Sequence, residues 1–134
     1  MPQTAQSAVA DTQLLLPALL PLCARALKAA EAYAAQARAS VERLVAPGGK
    51  LDANLLDREQ RAAHGLSWLT TYVTALRQTL GWAQRLSDGG RLGEREALIC
   101  QAAFAEYLAQ MTGGLPMSQG EILRPSDLDM QAEA

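Results

Sequence analysis

The stretch LSWLTTYVTALRQTLGWA, residues 66–83, decides the fold of this chain. Its apolar residues recur at steps of three and four, a spacing that predicts an amphipathic helix and argues against a half-buried strand. Two apolar seams run along this helix and its upstream extension. The first seam consists of Leu55, Ala62, Leu66, Leu69, Val73, Leu76, Leu80 and Ala83. The second seam consists of Trp68, Tyr72, Ala75, Thr79 and Trp82.

The two seams lie side by side at roughly 100° per residue and cover about half of the helix circumference. This helix is therefore expected to be flanked on two sides. It is either the central helix of the fold, or it packs on one sister helix and on one external partner.

Two further helices flank this one in the sequence. Helices are predicted over about 14–45, 53–86 and 94–111. The first of these helices is expected to be regular from about Pro21 onward, because proline fits the first turn of a helix better than its interior. Its heptad seam consists of Leu16, Leu20, Cys23, Leu27, Ala30, Ala34, Ala37, Val41 and Leu44. Asp52 is the expected N-cap of the second helix. The apolar stripe of the third helix is expected to consist of Leu98, Ala102, Ala105, Leu108 and Ala109, widened by Ile99, Phe104, Tyr107 and Met111.

Gly- and Pro-rich connections separate these helices and make neighbours antiparallel. The predicted fold is all-α, an antiparallel up-down bundle of three or four helices with an irregular C-terminal tail. The bundle domain is expected over residues 1–112 and the tail over 113–134, leading towards a downstream domain. The tail has few apolar anchors, so we expect it not to be ordered on its own.

Composition excludes several functions. Hydrophobic residues make up 49% of the chain but aromatics only 4%, so Ala and Leu carry the core. The 12 basic and 14 acidic residues are mixed, which predicts neither nucleic-acid nor membrane binding. The apolar run at residues 14–22 is too short to span a bilayer and lacks a basic start, which favours a cytoplasmic protein. Cys23 and Cys100 are expected to be isolated buried thiols.

No pattern in the chain predicts catalysis, cofactor binding or a metal site. His64 is the single histidine, and we expect a half-exposed helical residue rather than a general base. The neighbouring pair Asp57 and Arg61 is typical of a solvated helix face. Phosphate-cradling loops and nucleophile elbows are missing from the sequence. Glu121, Arg124 and Asp127 could bind an acyl or nucleotide ligand, but a solvated loop is the better expectation.

The aromatic residues of the second seam are the strongest interface candidates. Two Trp on one helix face are many for so aromatic-poor a chain, and such residues are enriched at protein interfaces. The predicted interface residues are Trp68, Tyr72, Trp82, Leu115 and Ile122.

Two segments resemble a known family. The run LDREQRAAHGLSWLTTYV at residues 56–73, and EYLAQ followed by GGLPMSQGEI at residues 106–110 and 113–122, are similar to the N-terminal helical extension of the (2S)-methylsuccinyl-CoA dehydrogenases. These are a branch of the flavin-dependent acyl-CoA dehydrogenases, and the likeness covers about 51–128. It implies a parent enzyme that removes an α-proton from an acyl-CoA with a glutamate and passes hydride to FAD. Those sites would lie in a three-domain body that follows this segment.

Three functions are compatible with this sequence. The chain is an accessory domain that packs on a catalytic acyl-CoA dehydrogenase body, in cis or in trans, or it is a stand-alone helical adaptor or dimerisation module. In the second case the aromatic seam forms a homo-oligomer interface. A weaker third hypothesis is a small-molecule-binding bundle, in which acyl-CoA or flavin would quench tryptophan fluorescence. No residue matches a catalytic motif of the family, so FAD is implied for the parent enzyme alone.

Overall fold

The computed structural model describes residues 14–130 and confirms an all-α bundle. Its elements are helix α1 (Leu19–Val45), α2 (Ala53–Arg58), α3 (Gln60–Asp88) and α4 (Glu94–Gly113), strands β1 (Leu115–Pro116) and β2 (Ile122–Leu123), and two 3₁₀ helices (Ser118–Gly120 and Pro125–Leu128). The long helices α1, α3 and α4 pack on one another around a single core. Short connections join them, so consecutive long helices run antiparallel.

The contact between α1 and α3 forms the main part of the core. Ala30 and Ala37 of α1 are almost fully buried, and their small side chains let α3 approach closely. Leu69 and Leu76 fill the space from the side of α3. The first seam of α3 is therefore the core face predicted from its periodicity.

Two predicted helix boundaries are wrong. Helix α1 begins at Leu19 rather than near residue 14, because the preceding Pro17 lies in a turn and Ala18 has a left-handed φ of 51°. The helix predicted over 53–86 is two helices, since Glu59 leaves the helical region with φ −101° and ψ 25°. The predicted cap of α2 is confirmed, because Asp52 accepts hydrogen bonds from the backbone of Asn54 and Leu55.

The predicted apolar stripe of α4 is confirmed only in part. The buried residues of α4 are Ala97, Cys100, Phe104 and Met111, of which Phe104 and Met111 belong to the widened stripe. In the central set of the stripe, only Leu108 packs against the core, and the other residues lie outward or at the edge: Leu98, Ala102, Ala105 and Ala109. Apolar residues surround this helix, so its periodicity does not select one face. Packing instead selects the face that carries the larger Phe104 and Met111.

The tail is not irregular throughout and does not lack apolar anchors. Strands β1 and β2 pair antiparallel, with Leu115 opposite Leu123 and Pro116 opposite Ile122. The side chains buried by this segment are Leu115, Met117, Leu123 and Leu128. They join the core cluster of the bundle. The domain boundary after residue 112 stays a prediction.

Candidate interface

The candidate interface is an aromatic face, which we define as Trp68, Tyr72 and Trp82 of α3 together with Tyr107 of α4. Each of these side chains is half-buried and packs against the edge of the core. Their spacing along α3 places them on one side of the helix, next to the face that contacts α1. The face therefore has apolar area in contact with the core and apolar area open to solvent.

His64 and Trp68 lie at the end of this face that is nearest the N-terminus of α3. The indole Nε1–H of Trp68 donates a hydrogen bond to Nε2 of His64, one helical turn earlier, at 2.7 Å. The two rings are nearly parallel, with an interplanar angle of 7° and centroids 6.4 Å apart. The exposed His64 thus holds the indole ring in place, and its Nε2 is already occupied.

Tyr72 connects the face to α4. Its ring stacks on Tyr107 with centroids 4.5 Å apart, and its hydroxyl donates to Oε1 of Gln110 at 2.8 Å. Gln110 in turn donates to Glu106. Burial, followed by the charges of Tyr107 and Glu106, raises the pKa of Tyr72 above its ordinary value. Tyr72 is therefore held as a neutral donor, which suits packing and not proton transfer.

Trp82 lies at the other end of the face. It lines a shallow groove of about 420 Å³ between α3 and α4, together with Gln78, Thr79, Ile99 and Ala103. Ile99 is 51% exposed, one of the most exposed large apolar residues in the described part of the chain. The groove is mainly apolar, and a protein side chain would fill it better than a charged ligand would.

The two tail residues predicted at the interface lie apart from this face. Leu115 is only 1% exposed, and its burial is complete within this chain. Ile122 is half-buried, and its carbonyl oxygen accepts a hydrogen bond from Nη2 of Arg61 at 2.8 Å. The structure thus brings together Trp68, Tyr72 and Trp82 and leaves Leu115 and Ile122 on the hairpin.

Arg61 fastens the tail to α3. Besides the carbonyl of Ile122, it contacts the carboxylate of Asp127 with Nε and Oδ1 3.4 Å apart. The same carboxylate accepts a hydrogen bond from the backbone N–H of Arg124 at 2.8 Å. Asp57 and Arg61 are both exposed, as expected for a solvated helix face, and Asp57 accepts a hydrogen bond from the amide of Gln60. Asp127 is thus engaged inside the chain rather than open to a ligand.

Cys23 and Cys100 are buried free thiols, as expected, but they are not isolated from each other. They lie side by side where α1 meets α4. Burial, followed by the charge and hydrogen bond of Cys100, raises the pKa of Cys23 to about 12. Burial also raises the pKa of Cys100. Both thiols therefore stay protonated at neutral pH, and their role is packing.

The described residues contain few signs of a polar site. Within residues 14–130, every buried side-chain nitrogen or oxygen has a hydrogen-bond partner. That same range contains no group of three or more metal-ligating side chains. None of its helices is long and apolar enough to cross a membrane.

Fold and geometry define an all-α bundle with a half-buried aromatic face. No protein-family model matches the chain. Among curated proteins it is similar to (2S)-methylsuccinyl-CoA dehydrogenase of Cereibacter sphaeroides, with 50% identity over 119 residues. Those residues are 89% of this chain and 22% of that enzyme, so the chain is a relative of a segment of about a fifth of its length. The resemblance seen in the sequence is confirmed.

Sequence reasoning missed the α4 partners of the aromatic face and the role of Arg61. Tyr107 and Gln110 lie one turn apart on α4, and both have a polar group at the end of the side chain. Their contact with Tyr72 depends on tertiary packing, which the sequence does not give. Gly65 was a signal in the sequence that another segment packs closely on α3, because a glycine inside a helix often marks a close approach. A Cβ at that position would collide with the side chain of Leu123.

Proposed function

We propose that this chain is the N-terminal helical accessory domain of an FAD-dependent acyl-CoA dehydrogenase similar to methylsuccinyl-CoA dehydrogenase. The aromatic face packs on the catalytic body, which binds FAD and carries out the oxidation. The observation that carries this proposal is the extent of the identity, which continues through 119 residues and so covers most of the bundle and tail. The site of action is the cytoplasm.

The geometry of the aromatic face supports docking rather than catalysis. Trp68, Tyr72 and Trp82 each present part of an apolar ring outward, while hydrogen bonds fix the rings of Trp68 and Tyr72. Rings that are already ordered lose little conformational entropy on binding, so their burial contributes strongly to affinity. Trp and Tyr are also the residues most often found at the energetic centre of protein interfaces.

A binding experiment in trans tests the proposal. The dehydrogenase body of the relative, lacking the homologous segment, would be titrated with this chain in a calorimeter. We expect saturable binding, weakened about 10- to 100-fold by Trp82→Ala or Tyr72→Ala, because truncating a central aromatic residue typically costs ~2 kcal/mol or more. Arg38→Ala is the matched control, since among the described residues this exposed side chain of α1 forms its ion pair with Glu42 on its own helix.

Two results would count against the proposal. One is an absence of binding at high concentrations of both proteins. The other is binding that both aromatic variants leave unchanged. The genomic reading frame after Ala134 separates the two arrangements: continuation into a dehydrogenase body indicates docking in cis, whereas a stop codon with binding indicates docking in trans. A stop codon without binding favours the stand-alone adaptor.

A further inference from the structure

The outer side of α4 carries an apolar stripe that the described residues leave uncovered. Arg95, Ile99, Ala102 and Glu106 follow one another at steps of four, three and four residues, so they form one line along the helix. All four are exposed. Leu98, Ala105 and Ala109 widen this line on one flank. We call these seven residues the outer stripe of α4.

This stripe is unusual because the opposite face of the same helix is already in the core. Phe104 and Cys100 are buried against α1 and α3, so α4 is apolar on both sides. A helix that is apolar all round is normally covered all round. Three grooves lie on or beside the stripe. One of about 440 Å³ is lined by the stripe residues Arg95, Leu98, Ile99 and Ala102, one lies beside Trp82, and a smaller one of about 240 Å³ lies beside Leu16.

The order of charges along the stripe favours a second copy of α4 as its binding partner. The stripe begins with a positive residue and ends with a negative one, with Ile99 and Ala102 between them. If a second copy of α4 lies antiparallel and the twofold axis passes between Cys100 and Gln101, residue i faces residue 201 − i of the partner. Arg95 then faces Glu106 of the second copy, and Ile99 faces Ala102.

This pairing is complementary in both charge and size. Two Arg–Glu pairs form at the ends, about 16 Å apart along the axis at 1.5 Å per residue. Between them, each isoleucine lies against an alanine, so a large side chain fills the space left by a small one. Arg95 and Glu106 have no ion-pair partner within 4.0 Å in the described part of their own chain. A twofold contact requires this kind of self-complementary surface.

We infer that two copies of this chain associate through antiparallel packing of the outer stripes of α4. The partner is a second copy of the chain. The contact adjoins the aromatic face, because Ile99 also lines the groove beside Trp82 and Glu106 accepts a hydrogen bond from Gln110, the acceptor for Tyr72. Arg95→Glu changes no residue of the aromatic face, so failure of the dimer and failure of the docking are distinguishable.

Charge exchange tests this inference. The full 134-residue chain would be examined by sedimentation equilibrium, where we expect a reversible dimer in the micromolar range. Arg95→Glu alone and Glu106→Arg alone should each weaken the dimer about 10- to 100-fold, since each change replaces two attractive pairs with two repulsive ones. Mixed in equal amounts, the two variants should form a heterodimer about as strong as the wild-type dimer, because each new charge then faces its opposite.

Arg25→Glu is the matched control. This exposed arginine lies on α1, and reversing it should leave the association unchanged. A chain that stays monomeric at about 200 μM overturns the inference, and so does a dimer that neither charge reversal weakens. A mixture that fails to restore association overturns the antiparallel pairing, because loss of folding in either variant is detected separately by circular dichroism.

Discussion

Leu115 and Leu128 of the C-terminal tail are almost completely buried, whereas Trp68 and Trp82 of α3 are only half-buried. The tail is rich in Gly and Pro. Gly65 of α3 nevertheless leaves space for the side chain of Leu123, and Arg61 of α3 donates a hydrogen bond to the carbonyl oxygen of Ile122. The aromatic rings pack against the edge of the core, and hydrogen bonds hold Trp68 and Tyr72, yet part of each ring stays open to solvent.

Burial in this molecule therefore follows fit and hydrogen-bond satisfaction more closely than side-chain size. The large apolar side chains of the tail are buried within the chain, and the tail packs as part of the bundle. The aromatic face keeps apolar area that a partner is expected to cover. Five substitutions test this difference.

Leu128→Ala should cause the largest loss of stability. Leu128 is 1% exposed, so truncation leaves a cavity between the tail and the helices. We expect the free energy of unfolding, measured in urea, to fall by about 2–5 kcal/mol. Leu51→Ala is the control, because Leu51 is 59% exposed and its truncation should change stability by less than ~0.5 kcal/mol. Equal effects of the two substitutions would show that the tail is not part of the folded core.

Gly65→Ala should destabilise the chain although alanine favours helix. The added methyl group would collide with Leu123, and we expect a net loss of about 1–3 kcal/mol in thermal or urea unfolding. The cost of Gly65→Ala should be smaller when it is measured in a Leu123→Ala background, because that substitution removes the colliding atoms.

Gly81→Ala provides the contrast within the same helix. Its Cβ would meet only the flexible end of Arg85 at 3.4 Å, so we expect stabilisation by about 0.5–1 kcal/mol. If Gly65→Ala stabilised the chain as much as Gly81→Ala does, the close packing of the tail on α3 would be wrong.

Arg61→Ala should have a smaller and more local effect. It removes one hydrogen bond to the carbonyl of Ile122 and a half-exposed ion pair with Asp127, and we expect a loss of about 0.5–1.5 kcal/mol. Hydrogen exchange should accelerate in the hairpin and remain unchanged in the centre of α1. Exchange that stayed the same in the hairpin would mean that this arginine does not fasten the tail.

His64→Ala should have the smallest effect on stability, below ~0.5 kcal/mol, because the histidine is exposed. It should nevertheless shift the indole N–H resonance of Trp68 in the NMR spectrum, since that proton loses its acceptor. The indole resonance of Trp82 serves as the internal control. An unchanged Trp68 resonance would contradict the hydrogen bond.

The fold was predictable where one periodicity dominates. The three- and four-residue steps of α3 and the Ala-rich seam of α1 indicated the faces that meet in the core. The core face of α4 was not predictable, because Ala and Leu surround that helix and the choice between Phe104 and Leu98 depends on the neighbouring helices. The break at Glu59 was missed since no Gly or Pro marks it.

The candidate interface was predictable only in part. Helical spacing placed Trp68, Tyr72 and Trp82 together, because they lie on a single helix. Tyr107 belongs to another helix, and its contact with Tyr72 depends on the packing of α3 on α4. The burial of Leu123 depends on a fit to Gly65, and composition carries no information about such a fit.

The most direct test of the central claim is iodide quenching of the two tryptophans in single-Trp variants, with Trp68→Phe and Trp82→Phe made separately. We predict that both indoles are accessible to iodide in the isolated chain, and that both become shielded when the dehydrogenase body is added. Indoles that iodide cannot reach in the isolated chain, or that stay equally accessible with the body present, would contradict docking through the aromatic face.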